Sequence, residues 1–199
     1  VYVSGHPLDE YTGMVNKYIT NVSSDFEVDD ELGETKARDG AIATIGGLIT
    51  EKTIKTTKKG QLMAFLTVED VVGTVEVVVF PNSFTANRVV IDHAEKVFVT
   101  GKVQANVDEN AKLICDKVVD FASIPRKLWI RFASLSDYED KKDELYGILY
   151  NSDGKDTVVI YCTKENKRLT LPASRTIRVD SELIQKLQSM YGEKNVTTT

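Results

Sequence analysis

Two cysteines, two histidines and a single tryptophan in 199 residues leave little material for metal or redox chemistry. Cys115 and Cys162 lie far apart in strand-like runs, no Cys-x-x-Cys pair occurs, and His6 and His93 are equally isolated, so there is no zinc pattern. The two thiols are expected to be buried and reduced, as in a cytoplasmic protein, rather than bridged. No apolar run approaches the roughly 18 residues needed to cross a bilayer, and no charged-then-apolar start resembles a signal peptide. The first residue is Val1 rather than Met, which reads as an excised fragment or a processed product. Carboxylates clustered for a two-metal nuclease or polymerase site are missing too. Asp137, Glu139, Asp140, Asp143 and Glu144 fit a solvated helix start that complements the helix dipole, and Asp70 heads a hairpin, where aspartate is common. His6 beside Pro7 reads as a turn residue. The expectation is no catalytic residue, no metal, no cofactor, no small-molecule substrate and no membrane.

What is present is ordinary for a globular chain: 42% hydrophobic and 28% charged residues, with a formal net charge of -5. That sign argues against a strong general nucleic-acid binder. Its distribution says more. Residues 1–38 carry three basic and eight acidic side chains, residues 39–121 nine and eleven, and residues 122–199 thirteen and eleven. The acidity is concentrated in the leading segment, so any DNA-facing surface must be local. Ser24 to Gly33, acidic and weakly apolar, reads as a solvated connector, and residues 1–38 as a leader.

From Ala41 the pattern turns to strands. Ala41 to Lys55 is rich in Ile and Thr, and the Gly46-Gly47 pair inside it suggests a bulge or a sharp bend. Thr56 to Gly60 is a polar turn. Gln61 to Glu69 alternates, with Leu62, Ala64, Leu66 and Val68 on one face and Met63, Phe65, Thr67 and Glu69 on the other. Asp70 to Gly73 connects to a β-branched strand, Thr74 to Phe80, which Pro81 stops. Asn82 to Ala94 reads as a short helix, and Lys96 to Val107 with Lys112 to Phe121 as a second hairpin. Three strands, a helix and two strands are the order of a five-stranded OB barrel, in which the helix plugs one end; it is placed at residues 39–122. After Pro125 the predicted order is strand, helix, two strands, helix and a final strand. This suggests a small α+β domain of the split-βαβ kind over residues 127–199. The last helix takes Asp180 or Ser181 as N-cap and stops at Gly192.

The residues also resemble a known family. Val3-Ser4-Gly5-His6-Pro7-Leu8 followed by Tyr11 is similar to the Gly-His-Pro segment just before the OB domain of bacterial DNA polymerase III alpha subunits. Gly47-Leu48-Ile49, Lys58-Lys59-Gly60, Leu66-Thr67-Val68-Glu69-Asp70, Gly73-Thr74-Val75-Glu76-Val77, Val79-Phe80 and Val99-Thr100-Gly101-Lys102-Val103 look like that domain's pattern. Residues 127–199 resemble the domain that ends the subunit. The resemblance implies that polymerase chemistry and the internal clamp-binding motif lie upstream, in the remainder of the subunit. It implies also that this region handles single-stranded template DNA through the OB fold and contacts the clamp-loader tau subunit through the terminal domain.

An OB fold binds single strands across the exposed face of strands two and three, with the loops between strands one and two and between four and five as clamps. Cations for phosphates and flat side chains for bases are required. The candidates are Lys55, Lys58 and Lys59 in or beside the first loop, Phe65 and Phe80 on the outer face, and Lys112 after the second loop. Glu69 and Glu76 share that face and repel phosphate, so weak binding is expected. Each candidate has a plainer reading: the lysines as a solvated turn, the phenylalanines as cover for a packed face. Lys164, Lys167, Arg168, Arg175 and Arg178 of the last domain are a second basic set, fit for an acidic partner or DNA. Two other functions remain open: a protein-interaction module that never holds DNA, and the anticodon-binding OB domain of an aminoacyl-tRNA synthetase.

Overall fold

The computed structural model describes residues 6–151 and 153–199. Val3, Ser4 and Gly5 of the Gly-His-Pro segment lie outside the described residues. The chain divides into two compact units, Val1–Ser123 and Ile124–Thr199.

The first unit is a closed barrel. Its strands are β1 (Ile42–Thr56), β2 (Leu62–Glu69), β3 (Thr74–Val79), β4 (Lys96–Gln104) and β5 (Lys112–Asp120), preceded by helix α1 (Thr12–Tyr18). Helix α2 (Pro81–His93) follows β3. Around the barrel the order is β1-β2-β3-β5-β4, with β4 closing on β1 and β3 parallel to β5. β1 serves both neighbours because it bends: residues 42–48 pair with β4 and residues 48–56 with β2. The irregularity expected at Gly46-Gly47 lies a little further on, as a register shift between Ile49 and Glu51. Gly47 permits the crossing, since a Cβ on it would lie 2.3 Å from the Glu69 carbonyl oxygen.

Alternation fixes the inside of the barrel. Ala64, Leu66 and Val68 of β2 and Val75, Val77 and Val79 of β3 are buried together with Ile45, Val97, Val99 and Leu113. Pro81 occupies the first turn of α2, where its missing N–H costs nothing, so it both ends β3 and starts the helix. Phe84 and Ile91 plug the barrel from that helix. Asn87 ties it down: its amide donates to the Ser83 and Asp116 carbonyls and accepts from the Val118 N–H at 2.8 Å.

The expected connector at Ser24 to Gly33 is solvated from Asp29 to Leu32 but anchored at Phe26. Phe26 is 2% exposed within the barrel core, and its carbonyl accepts from the Ala111 N–H. Tyr18 and Tyr11 pack on Phe98 and Phe121 outside the barrel. One phenylalanine among acids carries too little local hydrophobicity to reveal this. Only the barrel end it fills makes Phe26 a core residue.

The second unit orders its strands β8-β7-β6-β9: β6 (Lys127–Phe132), β7 (Thr157–Cys162), β8 (Lys167–Thr170) and β9 (Val196–Thr198). Helices α3 (Leu135–Leu149) and α4 (Ser181–Tyr191) are capped by the Ser134 and Asp180 side chains. The predicted element order and α+β class hold. The finer split-βαβ arrangement does not, because β6 and β7 are parallel neighbours with no strand inserted between them. The β7–β8 hairpin places β8 outside β7 instead. Both cysteines are buried and unbridged. No helix among the described residues is long and apolar enough to cross a membrane.

Candidate nucleic-acid interface

Register builds the outer face of the barrel. β2 pairs Phe65 with Thr53 of β1 and with Val78 of β3, and Met63 with Lys55. Side chains opposite one another share a face, so Lys55, Met63, Phe65 and Val78 lie together outside the barrel. The Lys55 ammonium stands 5.0 Å from the Phe65 ring centroid, a cation–π distance. Phe80 follows β3 in extended backbone, and by alternation falls on the same side; it is 48% exposed. Lys58 and Lys59 are exposed on the β1–β2 turn. That turn is closed by Thr57 N–H to the Gln61 carbonyl and by Gly60, whose φ of +77° a side chain would strain. Two flat side chains and three cations therefore share one end of the face, as the strand pattern predicts.

Lys112 is different. Its ammonium lies 2.9 Å from a Glu76 carboxylate oxygen on the same face, so the charge is spent on a neighbour. Around this pair is a cavity of about 270 Å³ lined by Phe26, Glu27, Thr67, Thr74, Glu76 and Lys112, among others. Two carboxylates against one lysine make that end of the face hostile to phosphate. Glu27 was not foreseen there, because it reaches the barrel only through the packing of Phe26.

The β4–β5 loop, expected as the second clamp, is held by the leading segment. The Asn110 side chain accepts from the Val28 N–H at 2.9 Å, the Asp108 N–H donates to the Gly33 carbonyl, and Asp39 accepts from the Ala105 N–H. Of the two loops, only the first is free of such ties among the described residues.

Asp70, the one carboxylate that invited a catalytic reading, is a structural cap. It accepts from the Ser23 N–H and hydroxyl at 2.7 Å each and from the N–H groups of Val72 and Gly73. Burial opposes its ionisation, but those four hydrogen bonds prevail and hold the carboxyl below the usual carboxylate range. Among the described residues no group of three or more His, Cys, Asp or Glu is placed to hold a metal ion.

In the second unit the basic residues separate. Arg175 donates to the Tyr150 hydroxyl and lies 4.7 Å from that ring's centroid. Arg168 stands over Trp129. Lys164 and Lys167 are exposed near the β7–β8 turn. These side chains form no single patch with Arg175, and the sequence reading missed Trp129, Tyr161 and Arg131, which strand parity places on one face of the sheet.

A closed five-stranded barrel with a helix between its third and fourth strands defines an OB-fold protein. Accordingly, residues 43–120 match the family described as OB-fold nucleic acid binding domain. Over its whole length the chain is homologous to a segment of DNA polymerase III alpha subunits. The subunit of Halalkalibacterium halodurans is 26% identical over 203 residues, covering 100% of this chain and 17% of that protein. The Bacillus subtilis subunit is 31% identical over 160 residues, covering 77% and 14%. The Aquifex aeolicus subunit is 27% identical over 198 residues, covering 95% and 16%. The chain thus spans about one-sixth of the length of these curated relatives. Among solved structures, asparaginyl-tRNA synthetase from Pyrococcus horikoshii is matched over 48% of this chain and 21% of that one, at 24% identity and a TM-score of 0.34, too loose a likeness to bear on function.

Proposed function

We propose that this chain is a non-catalytic, C-terminal region of a replicative, cytoplasmic DNA polymerase alpha subunit. Its barrel holds single-stranded template weakly, and its second unit docks the clamp-loader tau subunit. The observation that carries the DNA reading is the placement of Lys55 over Phe65, beside Lys58, Lys59 and Phe80, on the face where OB folds take single strands. Bases stack on the two rings, and the lysines meet the phosphates on either side of them. The affinity is low because Glu27, Glu69 and Glu76 occupy the other end of the face and Glu76 already pairs with Lys112.

The acidic end favours one competing reading, in which the barrel face packs on protein and never meets DNA. Fluorescence anisotropy of a labelled, unstructured single strand, titrated at low and then physiological salt, separates the two. Saturable, salt-sensitive binding in excess of duplex supports the template-holding reading. No binding at low salt overturns it and leaves docking as the role of the region; the tau subunit is then the titrant.

A further inference from the structure

The sheet of the second unit has two unlike faces. One carries Leu128, Ile130, Val158 and Ile160 into a core with Leu145 and Leu187 of the helices. The charged side chains on the other are Lys127, Arg131 and Arg168, all exposed, and no acidic residue occupies a strand position on that side. The acids of α3, from Asp137 to Glu144, belong to a helix packed on the opposite face. Glu165, in the β7–β8 turn, accepts from the Leu135 N–H at the start of that helix. A chain of net charge -5 therefore presents one sheet face whose charged strand positions are all positive.

Two aromatic rings stand among these cations. Trp129 on β6 and Tyr161 on β7 lie diagonally across neighbouring strands, since Trp129 pairs with Val159 and Arg131 with Tyr161. With strands ~4.8 Å apart and a rise of ~3.3 Å per residue, their backbones are about 8 Å apart. Each ring is held by its polar edge: the Trp129 indole donates to the Thr199 hydroxyl at 3.1 Å and the Tyr161 hydroxyl to Asn166 at 3.0 Å. Each has a guanidinium over it, Arg168 at 5.7 Å from the Trp129 centroid and Arg131 at 6.0 Å from that of Tyr161. A cleft of about 160 Å³ runs beside them, with Lys194 on its wall.

We propose that this open sheet face is a second platform for single-stranded nucleic acid, separate from the barrel. Neighbouring bases stack on Trp129 and Tyr161, displacing the guanidinium groups of Arg168 and Arg131 toward the flanking phosphates. Lys127 extends the phosphate track. An acidic peptide would satisfy the same cations, but its carboxylates offer no flat face to stack on the two rings.

Trp129 is the only tryptophan in the chain, so intrinsic emission reads this face. The whole chain is titrated with an oligothymidylate, with an abasic strand of equal length, and with polyglutamate. Saturable quenching by oligothymidylate, largely lost with the abasic strand, is the expected result. Arg131→Glu with Arg168→Glu, both exposed, weakens that response roughly tenfold or more with the far-UV circular dichroism unchanged. Binding of labelled oligothymidylate with unaltered Trp129 emission, or no binding, overturns the proposal. An equal response to polyglutamate overturns it in favour of an acidic protein partner.

Discussion

Replacing Lys55, Lys58 and Lys59 together with alanine removes the three cations at the ring-bearing end of the barrel face. None is an interior residue, and the turn is closed by backbone hydrogen bonds from Thr57 and Gly60, so the variant folds. For single strands, log K against log salt steepens by about 0.7 for each phosphate neutralised. Three engaged lysines therefore contribute about 2 to the slope, and between 50 and 200 mM salt the native protein loses roughly 20-fold more affinity than the variant. The Glu76–Lys112 pair at 2.9 Å gives two internal comparisons. Lys112→Ala removes a charge already neutralised and leaves the slope nearly unchanged. Glu76→Gln frees Lys112 and steepens the slope by up to about 0.7. Anisotropy of a labelled oligothymidylate across a salt series reads all four proteins. An unchanged slope in the triple variant refutes the loop assignment whatever its absolute affinity.

Phe65→Ala and Phe80→Ala should each cost about 1–3 kcal/mol of stacking, roughly 5- to 150-fold in affinity, read by the same titration; unchanged affinity would make both rings packing residues. Asp70→Asn weakens the charge-assisted bonds to Ser23, Val72 and Gly73 and should destabilise the barrel by about 2 kcal/mol at neutral pH. Because the Asp70 carboxyl is held below its ordinary value of 3.8, its contribution is present above that value and is lost as the pH falls through the lowered folded one. The gap between native and variant proteins should therefore close in acid, as followed by hydrogen exchange in residues 62–80. Asn87→Ala leaves the buried Val118 N–H without its side-chain acceptor and removes the amide donor to the Ser83 and Asp116 carbonyls; it should cost about 2–3 kcal/mol, seen as faster exchange in α2 and β5.

Period-two alternation placed Phe65 outside and Ala64, Leu66 and Val68 inside without any coordinates, because a strand with one buried face allows no other register. The helix at the barrel end and the caps at Asp180 and Gly192 were equally local signals. Asp70 as a hairpin residue was local too, through its bonds to Val72 and Gly73; Phe26, Glu27 and the bonds from Ser23 to Asp70 were not. Their roles depend on contacts across 47 residues for Ser23 and Asp70 and 82 for Val28 and Asn110, and nothing in the acidic stretch from Ser24 to Gly33 encodes its partner. In the second unit, each of Trp129, Arg131, Tyr161 and Arg168 sits in a plain strand pattern. What turns them into a surface is the order β8-β7-β6-β9, and a hairpin written β7–β8 in sequence is compatible with more than one strand order.

The distribution of charge on the barrel face follows from how the leading segment is anchored. Phe26 fills the barrel core, so Glu27 is carried to the side of β2 and β3 where Glu76 already stands. Asp70 fastens Ser23 a few residues earlier, which fixes the path. The same segment holds the β4–β5 loop through Val28, Gly33 and Asp39. One anchored leader thus places a carboxylate at one end of the face and ties the β4–β5 loop, leaving the β1–β2 turn with Lys58 and Lys59 as the positive end, free of such ties among the described residues. A single strand bound there would be held from one side only. On the template-holding proposal, weak affinity and strong salt dependence are expected from the leader's path and not only from the few cations the barrel carries.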